Sequence, residues 1–482
     1  AGTTDENFAL LKYNAAGVFQ WIQTYNNAAD EFDEAIALYI DAAGGVYVTG
    51  RTDVDASSNS NYNIVTAKYN SSGIQQWAQI YNGAANGSDR PEAMTGDANG
   101  VYITGRSVVG ATENILTLKY SLTGTQAWTA NYGTTTGDDR GDAIAVLNGI
   151  VVVGGRTSAN GIDDAVTIRY NATGTQQWAQ VYSNTGNDRI YDIAIDSLGM
   201  VYVAGQNNDG VDDNVLVIKY NGAGVQQWQR IYDSGTGFDQ ANAIGVDCAG
   251  NVWITGRSEP NAGNDNYLVM KLKGKDGAIL WSDSYDALNL NLFDDSGEDI
   301  AVFSASNTNH IYTAGFVTTA TQADATVRKC TETVPSLVIS PANPSVCANN
   351  PLVLSVSGAT LGTFRWKDGN TVLATDTTVT VTPTTVGTKN YTLQWNSGSC
   401  SATINVPVVV DASPTPAITG ATAVCTGAPY TYTYSVTPVA GNTYLWTVSS
   451  GGTIIGSNTG ASITVQWSSG TVGTVSITQT NP

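Results

Sequence analysis

The sequence predicts an all-β chain: a β-propeller built from a repeat of about 50 residues, followed by two β-sandwich modules. Three observations carry that expectation. A phrase ending in tryptophan recurs at Trp21, Trp77, Trp128, Trp178, Trp228 and Trp281, in steps of 56, 51, 50, 50 and 53 residues. A second phrase, Val46-Tyr-Val-Thr-Gly-Arg51, returns at Val101 to Arg106, Val151 to Arg156, Val201 to Gln206, Val252 to Arg257 and Ile311 to Phe316. Beyond residue 330 the charge almost vanishes, and Thr-rich alternating segments take over.

Each period reads as four strands. An apolar stretch such as Ala143-Ile-Ala-Val146 comes first, then the Val-Tyr-Val-Thr-Gly strand. A strand ending in Lys-Tyr-Asn is third, and the Gln-Gln-Trp-x-x-x-Tyr strand is fourth. Four strands per 50 residues make one propeller blade. The Trp, Tyr and Val side chains are expected to pack between neighbouring blades, because a lone blade cannot bury both faces. Segments such as Asn171 to Gly174 supply turn chemistry with a position able to take positive φ.

Counting by type gives six first, six second, seven third and six fourth strands, the last third strand lying near Ala325 to Lys329. Six blades close if residues 7–25 complete a blade begun by residues 299–316, with one strand left over. Seven blades close if about 40 residues precede Ala1. Six is the expectation for the sequence as it stands. The propeller is assigned to residues 1–330.

Residues 331–411 alternate through Pro351-Leu-Val-Leu-Ser-Val-Ser, Thr378-Val-Thr-Val-Thr and Tyr391-Thr-Leu-Gln-Trp395, a sandwich pattern. Residues 412–482 repeat it with Tyr430-Thr-Tyr-Thr-Tyr434, Tyr444-Leu-Trp446 and Ile463-Thr-Val-Gln-Trp467, in a module that stops short of a partner for Cys425.

At these phrases the chain resembles the β-propeller repeat proteins (SBBP-type) secreted by Bacteroidota and other bacteria, over about residues 5–330. That resemblance implies the fold and a secreted or cell-surface setting, and says little about activity, since propellers host many functions. The module at 331–411 resembles an immunoglobulin-type sandwich: Cys347 and Cys400 bracket Trp366, and the resemblance implies a Cys347–Cys400 disulfide. The module at 412–482 resembles the PKD-like domains of the same proteins. Cys248 and Cys330 read as isolated thiols or partners of something absent.

Charge excludes some functions. A net charge of −20 argues against nucleic acid and against an anionic membrane surface. No run of about 20 apolar residues exists to span a bilayer. The start, Ala1-Gly-Thr-Thr, shows no charged n-region or apolar h-region, as expected of a chain whose leader has been removed.

The candidate site is an acidic ring. Aligned without gaps to the apolar stretch that follows, one position reads Glu31, Asp89, Asp139, Asp188, Asp239 and Asp295. Three residues later it reads Glu34, Glu92, Asp142, Tyr191, Asn242 and Glu298. First strands line a propeller's central channel, so these acids are expected at one mouth of it, where unpaired carboxylates would suit Ca²⁺. The competing expectation is structural: Arg51, Arg106, Arg156 and Arg257 end the second strands beside them, and Arg90, Arg140 and Arg189 adjoin three of the acids. A second acidic group, Asp163-Asp164, Asp212-Asp213 and Asp265, reads as turn chemistry before the third strands.

An enzyme is not the expectation. The one histidine, His310, lies inside a repeat strand, and there is no P-loop or dinucleotide fingerprint. The expected function is a non-catalytic extracellular protein without a cofactor, the possible Ca²⁺ aside. It would be an adhesin head on a spacer stalk, or a subunit of a surface assembly or fibre, binding cell-surface glycans or proteins or copies of itself. The rim loops Gly83 to Gly87, Thr134 to Gly137 and Asp286 to Phe293 would supply the binding surface. The alternative is a carbohydrate-active propeller enzyme using two channel-mouth carboxylates.

Overall fold

The structure, a computed structural model, describes residues 7–27, 32–53, 61–134, 136–158, 161–235, 237–261, 263–286, 294–305, 308–318, 322–333, 337–359, 362–397, 400–425, 430–468 and 472–480. Every helix-or-strand element among them is a β-strand. The chain forms two compact units. One is residues 1–336 with the short segments 358–362 and 396–401; the other is the remainder.

In the first unit the repeat becomes a series of antiparallel sheets, a propeller-like arrangement. A pair comes first, β1 (Phe8–Tyr13) with β2 (Phe19–Tyr25). Five four-stranded sheets follow, each with its strands side by side in chain order. They are β3 (Asp33–Ile40), β4 (Val46–Asp53), β5 (Tyr62–Tyr69) and β6 (Gln75–Tyr81); then β7 (Asp89–Asp97), β8 (Gly100–Val109), β9 (Thr112–Tyr120) and β10 (Gln126–Tyr132). Next come β11 (Arg140–Leu147), β12 (Ile150–Ser158), β13 (Asp163–Tyr170) and β14 (Gln176–Tyr182), and β15 (Arg189–Ile195), β16 (Val201–Asn208), β17 (Asp213–Tyr220) and β18 (Gln226–Tyr232). The fifth is β19 (Gln240–Val246), β20 (Val252–Asn261), β21 (Asn264–Leu272) and β22 (Ile279–Tyr285). A three-stranded sheet of β23 (Ser296–Ala305), β24 (Thr308–Thr318) and β25 (Ala323–Thr333) ends the series.

Strand types fall as the repeat predicts: six first, six second, seven third and six fourth among the described residues. The expected joining of residues 7–25 to those at 299–316 is not what the structure holds. β1 and β2 form a sheet of their own, and β25 takes the edge of β24, pairing from Thr308↔Thr333 to Thr318↔Ala323. β25 follows β24 directly in the chain, so that ladder closes across a short hairpin.

Successive sheets bury their faces on one another. Tyr47 and Ile64 of one sheet meet Val101, Ile103, Leu116, Leu118 and Tyr120 of the next. Tyr102 and Ile115 meet Val151, Val153, Val166, Ile168 and Tyr170 in the same way. With both faces covered, the middle strands are apolar almost throughout, and β21 is buried at every position.

Two glycine positions in each repeat follow from this stacking. Every first strand carries a β-bulge, at Ile36, Glu92, Asp142, Tyr191, Asn242 and Glu298. The bulge swings a first-strand carbonyl against the glycine of the second strand. A Cβ on Gly155 would lie 2.0 Å from the Arg140 oxygen, and Gly50, Gly105, Gly205, Gly256 and Gly315 are equally crowded. The turn glycines Gly73, Gly124, Gly174, Gly224 and Gly277 have positive φ and lie under the tryptophan of the preceding sheet. Each of those indoles also donates a hydrogen bond into the turn: Trp21 to Ser71, Trp77 to Leu122, Trp128 to Ala172, Trp178 to Gly222 and Trp228 to Gly274, at 3.1–3.2 Å to the carbonyl oxygens.

The second unit holds two modules. The first has a three-stranded sheet (Val338–Ser340, Leu352–Ser357, Thr378–Val381) and a five-stranded sheet ordered Ser345–Cys347, Cys400–Asp411, Gly387–Ser397, Thr363–Asp368, Thr371–Ala374. Their alternating residues Leu354, Val379, Trp366, Leu393 and Trp395 are buried. In the second module, Thr431–Ser435, Ser462–Trp467, Thr443–Val448 and neighbouring strands bring Tyr434, Trp446, Ile463, Val465 and Trp467 into one core.

The implied Cys347–Cys400 disulfide is not formed: Cys400 is bonded to Cys248, with a Cα–Cα distance of 6.3 Å. Cys347 sits opposite Asp411, eleven residues along the strand that Cys400 begins. At about 3.3 Å per residue that places the two cysteines some 36 Å apart, beyond any disulfide.

Candidate functional site

The first-strand acids lie where each sheet meets the one before it. Glu31 is outside the described residues. Asp89, Asp139, Asp188, Asp239 and Asp295 are all buried, at 0–1% exposure. Asp139 shows how they are held. Its backbone N–H donates to the Glu113 carbonyl of the preceding sheet's third strand at 2.7 Å. One carboxylate oxygen accepts from the Thr134 N–H at 2.6 Å, at the exit of the preceding sheet. The other accepts from Thr157 Oγ1 at 2.6 Å and the Ser158 N–H at 2.9 Å, at the end of its own second strand.

The others repeat the design. Asp188 accepts from the Asn184 N–H (2.7 Å), Asn207 Nδ2 (2.9 Å) and the Asn208 N–H (3.0 Å). Asp239 accepts from Ser234 N–H and Oγ and from the Glu259 N–H. Asp89 accepts from the Gly83 N–H at 2.6 Å, and Asp295 from the Thr318 N–H at 2.7 Å. Burial raises the carboxyls of Asp89, Asp188 and Asp239 above the usual range, against the pull of these donors.

In the first repeat the corresponding residue is Asp33, two places beyond the expected Glu31. Asp33 is buried and accepts from the Asn27 N–H at 3.0 Å and its side-chain amide at 3.1 Å. It pairs with Thr52 as Asp89 pairs with Ser107, and the bulge follows three residues on in both. Glu34 therefore matches Arg90, and the bulge residue matching Glu92 is Ile36.

The arginines pair with acids other than the buried row. Arg51 meets Glu34 at 2.6 Å, and Arg106 meets Glu113 at 2.7 Å and Glu92 at 3.7 Å. Arg156 lies 3.4 Å from Asp163 and Arg257 2.9 Å from Asp265. Asp163 and Asp265, expected as turn residues, are thus ion-pair partners. Among the arginines beside the acidic row, two reach across to the preceding sheet: Arg140 to Glu92 at 2.8 Å, and Arg189 to Asp163 at 2.8 Å. Arg90 stands over the Tyr62 ring at 5.3 Å. The outcome is a row of half-buried ion pairs where the first strands begin and the second strands end.

Two carboxyls stand out by environment. Asp142, a bulge residue 2.6 Å from Arg140, is pushed up to about 6 by burial, against Arg140 and Arg156. Asp192, the next residue after the Tyr191 bulge, is pushed up to about 7 by burial. Hydrogen bonds from the Ile244 and Ile193 N–H groups oppose that rise, and Asp299 adds to it. The alignment did not single out Asp192, which takes a place held by Ala37, Ala93, Ala143 and Ala243 in four other repeats and by Asp299 in the last. Among the described residues no group of three or more His, Cys, Asp or Glu is arranged to hold a metal ion. His310 stacks on Phe303 at 5.1 Å. Of the rim loops, residues 83–87 are described, residue 135 is not, and only Asp286 of 286–293 is.

A family of PKD-like domains matches residues 411–482. No curated protein matches the chain. Among solved structures it is similar to Sqt1 from Chaetomium thermophilum (12% identity, 59% of this chain and 68% of that one, TM-score 0.37). It is also similar to a quinohemoprotein alcohol dehydrogenase from Comamonas testosteroni (11%, 84% and 70%, 0.36) and to a PL25 ulvan lyase (11%, 66% and 89%, 0.36). No helix among the described residues is long and apolar enough to cross a membrane.

Proposed function

We propose that the chain is a non-catalytic extracellular or cell-surface protein, with a six-bladed propeller head for binding and two β-sandwich modules, immunoglobulin-like and PKD-like, as its spacer. The observation that carries this reading is the burial of the repeated aspartates. The oxygens of Asp139, Asp188 and Asp239 are taken up by N–H and hydroxyl donors of the fold, so the most regular chemical feature of the sequence serves architecture. Variable loops between the sheets remain to meet a partner, and cell-surface glycans or proteins suit an acidic, polar rim better than nucleic acid does. The test is binding of the full chain to an array of bacterial and algal polysaccharides, with and without added Ca²⁺. Saturable binding to a defined class supports the head, and no binding to any glycan or cell surface argues against it.

A second reading, a carbohydrate-active enzyme, draws on Asp142. A carboxyl held near 6 is suited to general acid work. Its ion pair with Arg140 gives it a structural role as well.

A further inference from the structure

The ion pairs where the sheets meet follow a rule, and one junction breaks it. In three consecutive sheets the third strand sets an acid opposite the end of the second strand: Glu113 opposite Val108, Asp163 opposite Ser158 and Asp213 opposite Asn208. The sheet of β3 to β6 has an aromatic ring in that place instead, Tyr62 opposite Asp53. Glu113 and Asp163 each hold an arginine, Arg106 at 2.7 Å and Arg189 at 2.8 Å. A tyrosine cannot do the same, so one guanidinium at this junction is left over.

That guanidinium is Arg90. Arg51 and Arg90 both stand over the Tyr62 ring, at 4.7 and 5.3 Å from its centre. Arg51 also lies 4.9 Å from the Phe32 ring, which meets Tyr62 edge-on at 5.6 Å. Arg51 keeps a carboxylate, Glu34 at 2.6 Å. Arg90 has none among the described residues, whereas its counterparts Arg140 and Arg189 have Glu92 and Asp163. The Arg90 Nε–H donates to Ser88 Oγ at 3.3 Å, and its two terminal nitrogens are neither buried nor hydrogen-bonded to a described residue. Burial and the nearby Arg106 and Arg51 guanidiniums lower the Arg90 pKa, with Glu113 and Tyr62 opposing part of that shift. The junction therefore holds a half-buried positive charge that the fold itself does not match. Ser88 directly follows residues 83–87, so this charge adjoins one of the rim loops.

We infer that Arg90, backed by the Tyr62 ring and flanked by Arg51, is a subsite for the carboxylate of an acidic glycan, a uronic acid residue within a polysaccharide. This rests on the reading of the first unit as a glycan-binding head, and it names the class of glycan that head takes. The terminal N–H groups of a guanidinium lie in one plane and meet both oxygens of a carboxylate, and an aromatic ring beneath holds that plane in place. The sugar's carboxylate takes the part that Glu113 and Asp163 play at the neighbouring junctions. A neutral sugar has no group for it. The net charge of −20 repels a polyanion at long range. At physiological salt that repulsion is screened beyond about 8 Å, while the contact with Arg90 acts at hydrogen-bond distance.

The test immobilises the full chain at physiological salt and offers polygalacturonate, the same polymer with its carboxyls methyl-esterified, and a sulfated galactan free of uronate. Retention of polygalacturonate alone is expected. Arg90→Gln should weaken that retention about tenfold or more, through loss of charge-assisted hydrogen bonds. Lys275→Gln removes an exposed positive charge elsewhere and should leave it unchanged. Tyr62→Glu is the second variant, because it installs the acid that the neighbouring repeats carry and gives Arg90 a partner inside the fold. It should keep at least the wild-type melting temperature and lose retention. Unchanged retention in folded Arg90→Gln or Tyr62→Glu overturns the inference, and so does equal or stronger retention of either other polymer. Binding of neutral glycans without polygalacturonate refutes the inference and leaves the reading of the head intact, whereas no retention of any glycan refutes that reading as well.

Discussion

The indole N–H of Trp178 lies 3.2 Å from the carbonyl oxygen of Gly222, and two residues on a Cβ at Gly224 would fall 2.8 Å from the same indole. One contact therefore explains why the fourth strand keeps tryptophan and the turn keeps glycine.

Gly224→Ala should destabilise the first unit by about 2–4 kcal/mol, combining left-handed backbone strain with overpacking against Trp178. Gly161, with φ 79° and open space around it, is the control. Gly161→Ala should cost only about 1 kcal/mol, the backbone part alone. Urea unfolding of both variants checks the difference, and equal losses would mean the indole contact is not a packing constraint.

Asp139→Asn should lower stability by about 1–3 kcal/mol, because an amide replaces one acceptor facing the Thr134, Thr157 and Ser158 donors. Adding Ca²⁺ or a chelator should leave the melting temperature of the wild type unchanged. A chelator-induced drop that Asp139→Asn removes would identify a cation site instead.

Stability should fall as pH rises from about 5 to 8. Asp142 and Asp192 have folded values near 6 and 7, above the ordinary carboxyl value, so the folded chain binds more protons than the unfolded one across that window. Both states are protonated only below the ordinary carboxyl value of 3.8, and above about 7 the folded state bears the full cost of two buried charges. Asp192→Asn should flatten the upper part of the profile and raise the melting temperature at pH 8 relative to wild type. Thermal scans across pH give the slope directly.

Cys248 and Cys400 close a loop of 152 residues. Replacing both with serine should cost about 2–4 kcal/mol. Peptide mapping without reductant should recover Cys248 joined to Cys400, and recovery of Cys347 joined to Cys400 would contradict the structure.

Much of this was legible in the sequence, because a repeat lets each copy check the others. The spacing of Trp and Val-Tyr-Val-Thr-Gly fixes strand type, and the 25 strands fall in the expected classes. The first repeat misled because Glu31 and Glu34 copy the spacing of Asp89 and Glu92. What decides the alignment is the bulge opposite Gly50, and the signal for it is an aspartate four residues before an alanine in four of the six repeats, Asp33 to Ala37, Asp89 to Ala93, Asp139 to Ala143 and Asp239 to Ala243, with Asp192 and Asp299 in the alanine's place in the other two. The aspartates were visible as a row, but their burial was not, since donors such as the Ser158 N–H come from another strand's backbone. The cysteine pairing failed for a similar reason. The Cys347, Trp366, Cys400 order reflects a sandwich sequence, while strand register puts Cys347 at the far end of the strand from Cys400.

The most direct test of a binding head without turnover is to incubate the full chain with neutral and acidic polysaccharides and read two quantities from the same samples: polysaccharide retained on the immobilised protein, and new chain ends released. Retention with chain ends at the level of a protein-free control is expected. Release of chain ends that Asp142→Asn abolishes while the circular dichroism stays unchanged would contradict it and make Asp142 catalytic.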